Sequence, residues 1–167
     1  GIAGFYVTVV RGIPLVTQLL IIYFIVFAKI SIDGVWVAII AFGINSGGYM
    51  CEILRSGIQA VDRGQLEAGR SLGLNYWQSM FSIVLPQAVK NVLPAYTNEF
   101  VVLIKETAIV GYIAVEDLTK VADIIRSRTF DAFFPLFTAA AIYLVVTLFF
   151  AKMFRLLERR LARSDRG

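Results

Sequence analysis

The sequence predicts an all-α fold, a polytopic membrane helix bundle, on three observations. Hydrophobic residues make up 58% of the 167 residues and the mean hydropathy is +0.74, whereas a soluble domain carries roughly 45–50% apolar residues. Four apolar runs approach the ~20 residues that a helix needs to cross the hydrocarbon core. The basic residues flank those runs, which reads as membrane topology rather than a nucleic-acid surface.

The elements follow in order. Gly1 to Val10 is apolar and lacks the charged start of a signal peptide. The first run, Pro14 to Ile32, is led by a proline. The second, Gly34 to Leu54, carries Asn45-Ser46-Gly47-Gly48 at its middle. Small residues there let helices approach closely; lining of a pathway is the competing reading. Arg55 to Ser82 is a polar insert with Arg55, Asp62, Arg63, Glu67 and Arg70. The third run, Ile83 to Ile104, contains Pro86, Pro94, Asn98 and Glu99. In Lys105 to Ala132, the apolar Ile113, Val115, Leu118, Val121, Ile124 and Ile125 fall near helical spacing, which predicts a helix along the membrane surface. The fourth run, Phe133 to Phe154, leads into a basic tail, Arg155 to Arg166, suited to anchoring on anionic lipid. Residues 1–167 read as one membrane domain, with 55–82 as a region within it.

Orientation follows from the Lys and Arg count. With the 55–82 insert and the C-terminus on one side, that side holds 11 of the 16 basic residues. The richer side is expected to be cytoplasmic.

Composition narrows the chemistry. Histidine, the commonest general base and metal ligand, is absent. The single cysteine, Cys51, allows no internal disulfide. Its apolar setting predicts a buried, inert thiol. The sequence has no phosphate-cradling G-x-x-x-x-G-K-[ST], no serine nucleophile motif and no carboxylate cluster. A membrane enzyme is therefore disfavoured, and any ATP hydrolysis must come from a partner. A self-contained secondary transporter or channel for small polar solutes remains the alternative to an ATP-driven machine.

The polar insert decides between them. Glu67-Ala68-Gly69 is followed by three residues, then Gly73, then nine residues, then Ile83-Val84-Leu85-Pro86. This resembles the EAA loop of the membrane subunits of ABC importers, with Gly69 where the family usually has alanine. A second segment, Arg11-Gly12-Ile13-Pro14-Leu15 with Thr17-Gln18-Leu19, resembles the R-G-T-P-L-L-V-Q-L stretch of their polar amino-acid permeases (histidine, glutamine and arginine permease-like), with Ile13 replacing threonine. Asn45 to Tyr49, Glu52-Ile53, Arg55 to Gln59, Leu93-Pro94, Asn98-Glu99, Lys105-Glu106-Thr107 and Leu157 to Leu161 extend the likeness along almost the whole chain.

The resemblance implies a bundle of the MetI-like ABC importer permease type in the bacterial cytoplasmic (inner) membrane, with one further helix ahead of Gly1. It implies a second permease subunit, identical or paralogous, two cytoplasmic ATPase subunits that carry the ATP and Mg, and an extracytoplasmic amino-acid-binding protein. No cofactor is expected in this chain itself. Glu67, Ala68, Gly69, Gly73 and Leu74 are then the expected ATPase-coupling residues, with Gly73 supplying a tight turn and Pro86 opening the next membrane helix. Gly12, Ile13 and Pro14 become pathway candidates, because broken helices present free N–H groups to a carboxylate. An interfacial Arg ahead of an ordinary Pro-led helix fits those residues as well. Asn98 and Glu99 are the remaining substrate candidates, since a carboxylate in an apolar run faces the protein interior or a watery path. The competing place for Glu99 is the outer headgroup layer.

Overall fold

The structure is a computed structural model that describes the backbone of residues 1–163 and side chains through Arg159. Of the basic tail, the side chains of Arg160, Leu161 and Arg163 and all of Arg166 lie outside the described residues. The described residues are helical, without strands. In chain order the helices are α1 (Ile2–Gly12), α2 (Leu15–Ile21), α3 (Gly34–Gln59), α4 (Arg63–Ser71), α5 (Tyr76–Ser79), α6 (Leu85–Glu106), α7 (Leu118–Thr129) and α8 (Phe133–Arg163).

Two helices, α3 and α8, are long and apolar enough to cross a membrane. A third span results if the bent pair Ile2–Gly12 and Leu15–Val26 counts as one. The first apolar run is thus shorter than the sequence suggests. Its helix begins at Leu15, loosens into a π turn at Ile22–Val26 and stops before Lys29. Gly12 ends α1 rather than starting α2. Ile13 is extended (φ −110°, ψ 131°), as the residue before a proline prefers, and α1 and α2 meet at 104°.

The core sits where α2, α3 and the segment after α6 meet. Leu19, Ala38, Ala41, Val110 and Ile113 form one buried cluster, with Leu20, Tyr23 and Phe42 packed on it. Thr107–Ile113 is a 3-10 turn and supplies two of those residues. The sequence places this stretch in a surface connection. The structure buries Val110 and Ile113 of it while Tyr112 stays exposed, and only Leu118–Thr129 forms the amphipathic helix.

Small residues of α3 set its neighbours. A Cβ on Gly48 would lie 2.8 Å from Val10 Cγ1, and one on Gly57 would lie 2.2 Å from Val92 Cγ2. Any larger residue would force α1 or α6 away, so close packing is the reading that holds at Gly48. Cys51, expected to be buried, is exposed on α3 instead. A helix in lipid turns apolar residues outward, so apolar setting in sequence does not mean burial within the chain.

Pro86 lies in the first turn of α6, as expected. Helical backbone, however, starts earlier. It begins at Tyr76, where Asn75 and Gln78 form a capping box, with Asn75 Oδ1 accepting from the Gln78 N–H at 2.9 Å. A π turn, Met80–Val84, carries it into α6. The lengthened turn accommodates a proline without an N–H one residue into the next helical segment.

Candidate coupling hairpin and translocation face

Between α3 and α6 the chain builds a compact hairpin. Asp62 caps α4 by accepting from the Gly64 N–H at 2.8 Å. At its far end the Leu74 N–H donates to Gly69 O (3.2 Å) and the Gly73 N–H to Arg70 O (3.0 Å). That pair of bonds is a Schellman cap, which requires a left-handed residue at Gly73. Gly73 has φ +89°, and a Cβ there would meet nothing within 4 Å. Below the hairpin, Leu66 and Met80 pack on the buried Val61, Val84 and Ala88 at the base of α6.

The five expected coupling residues divide. Glu67, Ala68 and Gly73 are exposed, and Leu74 is half-buried. Gly69 is buried and turned inward, so it offers a partner no surface. Its Cα packs on Ser79 and Ile83. The spacing locates the hairpin but does not tell which residues face out.

The break between α1 and α2 is held by a residue the sequence reading passed over. Gln18 is 8% exposed. Its side-chain amide donates to Val10 O at 2.6 Å and to Ile13 O at 2.8 Å. These carbonyls lack helical partners because the helix stops, and unmet buried carbonyls are costly. Gly12 and Pro14 are exposed and Ile13 half-buried at this break. Nearby, Arg11 lies over the Tyr49 ring (5.6 Å to its centroid) and 3.8 Å from Glu52, which also pairs with Arg55. A side-chain amide within the largely apolar Leu15 to Val26 stretch was the signal for Gln18.

On α6, Asn98 is exposed and Glu99 half-buried. Glu106 lies seven residues on, the same face of the helix. Neither carboxylate makes a hydrogen bond or ion pair with a described residue. Beside them the buried Thr97 hydroxyl donates to Glu158 Oε1 at 2.6 Å, joining α6 to α8. No hydrogen bond or ion pair links Gly12, Ile13 or Pro14 to Asn98 or Glu99 among the described residues. The two candidate pathway groups are not joined by any such bond.

The model of one family, "Binding-protein-dependent transport system inner membrane component", matches residues 1–163. The chain belongs to this family. It is a permease subunit of an ABC transporter with the MetI-like fold. It is similar to the arginine transport system permease protein ArtQ of Bacillus subtilis (strain 168), 42% identical over 166 residues, covering 98% of this chain and 76% of the relative. A Rickettsia bellii (strain RML369-C) relative named for glutamine transport, GlnP, is 42% identical over 167 residues, covering 97% and 75%. The crystal structure of an amino acid ABC transporter with histidines superposes at a TM-score of 0.88, with 48% identity over 95% of this chain and 75% of that one.

Proposed function

We propose that this permease carries polar amino acids inward across the bacterial cytoplasmic membrane. It works as one of a pair of permease subunits, driven by two cytoplasmic ATPases and supplied by an extracytoplasmic binding protein. The observation that carries this reading is the cap-locked hairpin, with Glu67, Ala68 and Gly73 on its exposed side. ATP and Mg belong to the ATPase partners, and the permease itself performs no catalysis. The hairpin and C-terminus face the cytoplasm, in keeping with the Lys and Arg bias. The hairpin would seat in the ATPase, and ATP-driven closure would swing the permease pair between two open states.

Asn98 and Glu99 line the path in this reading. A half-buried carboxylate without a protein partner suits an ammonium or guanidinium group. The names of ArtQ and GlnP point to arginine in one relative and glutamine in another, so the acid at Glu99 favours the cationic choice. The test is uptake by the reconstituted complex with radiolabelled arginine, lysine, histidine and glutamine. Glu99→Gln keeps the shape and removes the charge. It is expected to raise the half-saturating concentration for cationic substrates roughly tenfold, the scale of one lost ion pair, at an unchanged amount of complex. Identical concentration dependence for every substrate would reject a pathway role for Glu99.

A further inference from the structure

The hairpin contains a contact that its surface does not explain. Gly69 is buried where an alanine is ordinary for the pattern, and a Cβ built on it would lie 2.7 Å from Ile83 Cδ1, 2.8 Å from Ser79 Oγ and 3.2 Å from Ser79 Cβ. Ser79 is 0% exposed, and its hydroxyl has no hydrogen-bond partner. A buried hydroxyl without a partner is unfavourable. Its solvation is given up here to close the gap that the missing methyl leaves.

The two residues occupy telling places. The Gly69 carbonyl receives the Leu74 N–H and so fixes the turn. Its bare Cα seats the second arm of the hairpin. Ser79 is the last residue of α5, and Ile83 lies within the π turn that leads into α6. A second contact is made by Leu66 and Met80, which pack on Val61, Val84 and Ala88. The docking helix α4 is therefore clamped at two points to the base of α6, the helix that carries Asn98 and Glu99. Close-packed contacts of this kind transmit displacement rather than absorb it.

We infer that Gly69 and Ser79 form a rigid joint that passes movement of the docking helix α4 to the pathway helix α6, so that Ser79 is a positioning residue for coupling. The inference rests on the docking reading above. Its consequence is that either crowding or loosening the joint separates ATP hydrolysis from transport. A structural residue alone would change the amount of complex and leave the ratio of transport to hydrolysis untouched.

The experiment uses the full transporter, permease with ATPase and binding protein, in proteoliposomes offered radiolabelled arginine and glutamine together. Uptake and ATP hydrolysis are read on the same vesicles, and co-purified ATPase is quantified for each variant. Gly69→Ala crowds the joint, and Ser79→Gly opens it without a clash. Each is expected to lower transport per ATP about fivefold, the scale of a modest packing defect, with ATPase association unchanged. The combination Gly69→Ala, Ser79→Gly and Ile83→Val removes all three close contacts and is expected to restore the ratio to within about twofold of wild type. A wild-type ratio in Ser79→Gly, or a triple variant that assembles but stays uncoupled, overturns the joint. Failure of the wild-type chain to retain ATPase overturns the docking reading, and the joint with it.

Discussion

Removing the Gln18 amide tests whether the bend between α1 and α2 is built or incidental. Gln18→Met keeps length and apolar fit but deletes both donors. The structure sets the magnitude. Two bonds of 2.6 and 2.8 Å are lost, each worth about 1 kcal/mol, and the carbonyls they leave behind cost more where water cannot reach. Gln18 is buried but Ile13 only partly so, and water can serve one of the two carbonyls. A total near 2–3 kcal/mol follows. At about 2–4 °C per kcal/mol for a chain of this size, the unfolding midpoint of the purified complex is expected to fall by roughly 5–10 °C. Gln18→Glu is the sharper companion, since an ionised carboxylate in the same place repels both carbonyls. Hydrogen exchange should quicken first in the α2 segment, Leu15–Ile21. An unchanged midpoint with unchanged exchange there would refute the argument that Gln18 holds the bend.

Three further outcomes follow from the same geometry. Gly73→Arg strains a left-handed position by about 1–2 kcal/mol into open space, so the chain should still insert, while ATPase co-purification and uptake are lost; uptake at the normal rate would sink the docking assignment. Cysteines at Arg63 and Lys120, in a Cys51→Ala background because Cys51 is exposed, should label with an impermeant reagent from opposite sides; labelling of both from outside rejects the orientation. Thr97→Val should lose the α6–α8 tie, and a double-mutant cycle with Glu158→Gln should show coupling of about 0.6–1.5 kcal/mol; additive effects would mean that the 2.6 Å contact contributes nothing.

The hairpin was legible because its signals are local. The Glu67-to-Pro86 spacing and the Gly73 turn marked it, and Gly73 sits where its preference puts it; the caps at Asp62 and Asn75, which act over only three or four positions, were left unread. Inward and outward faces within the hairpin were not legible, since Gly69 is buried by Ser79 and Ile83 from another arm. The bend was half-legible. Ile13 and Pro14 mark a break, but its sharpness depends on a side chain reaching back eight residues from Gln18 to Val10. Hydropathy misled most in 105–132. The short apolar stretch Thr107–Ile113 looks like part of a surface helix by spacing, yet its burial comes from Leu19, Ala38 and Ala41 far away in sequence.

The same long-range contacts bear on the third apolar run, and with it on Glu99. The run Ile83 to Ile104 has the length of a span, but its first part packs on the polar end of α3, where the Asn91 side-chain amide lies 3.5 Å from Gly57 O. Thr97 meets Glu158 near the basic end of α8. The apolar core instead meets this segment at Val110 and Ile113. A crossing that follows these apolar contacts would start near Thr97 and continue through the 3-10 turn. At 1.5 Å per residue, Glu99 stands only about 3 Å past Thr97, and Glu106 about 10 Å farther along the same face. On that course Glu99 would lie toward the hairpin end of the crossing. In the proposed function it would then meet substrate late, near release to the cytoplasm, and its charge should govern how cationic substrates leave as much as how they enter. Its position on the helix that the Gly69–Ser79 joint would drive makes that release the step most directly exposed to the ATPase cycle.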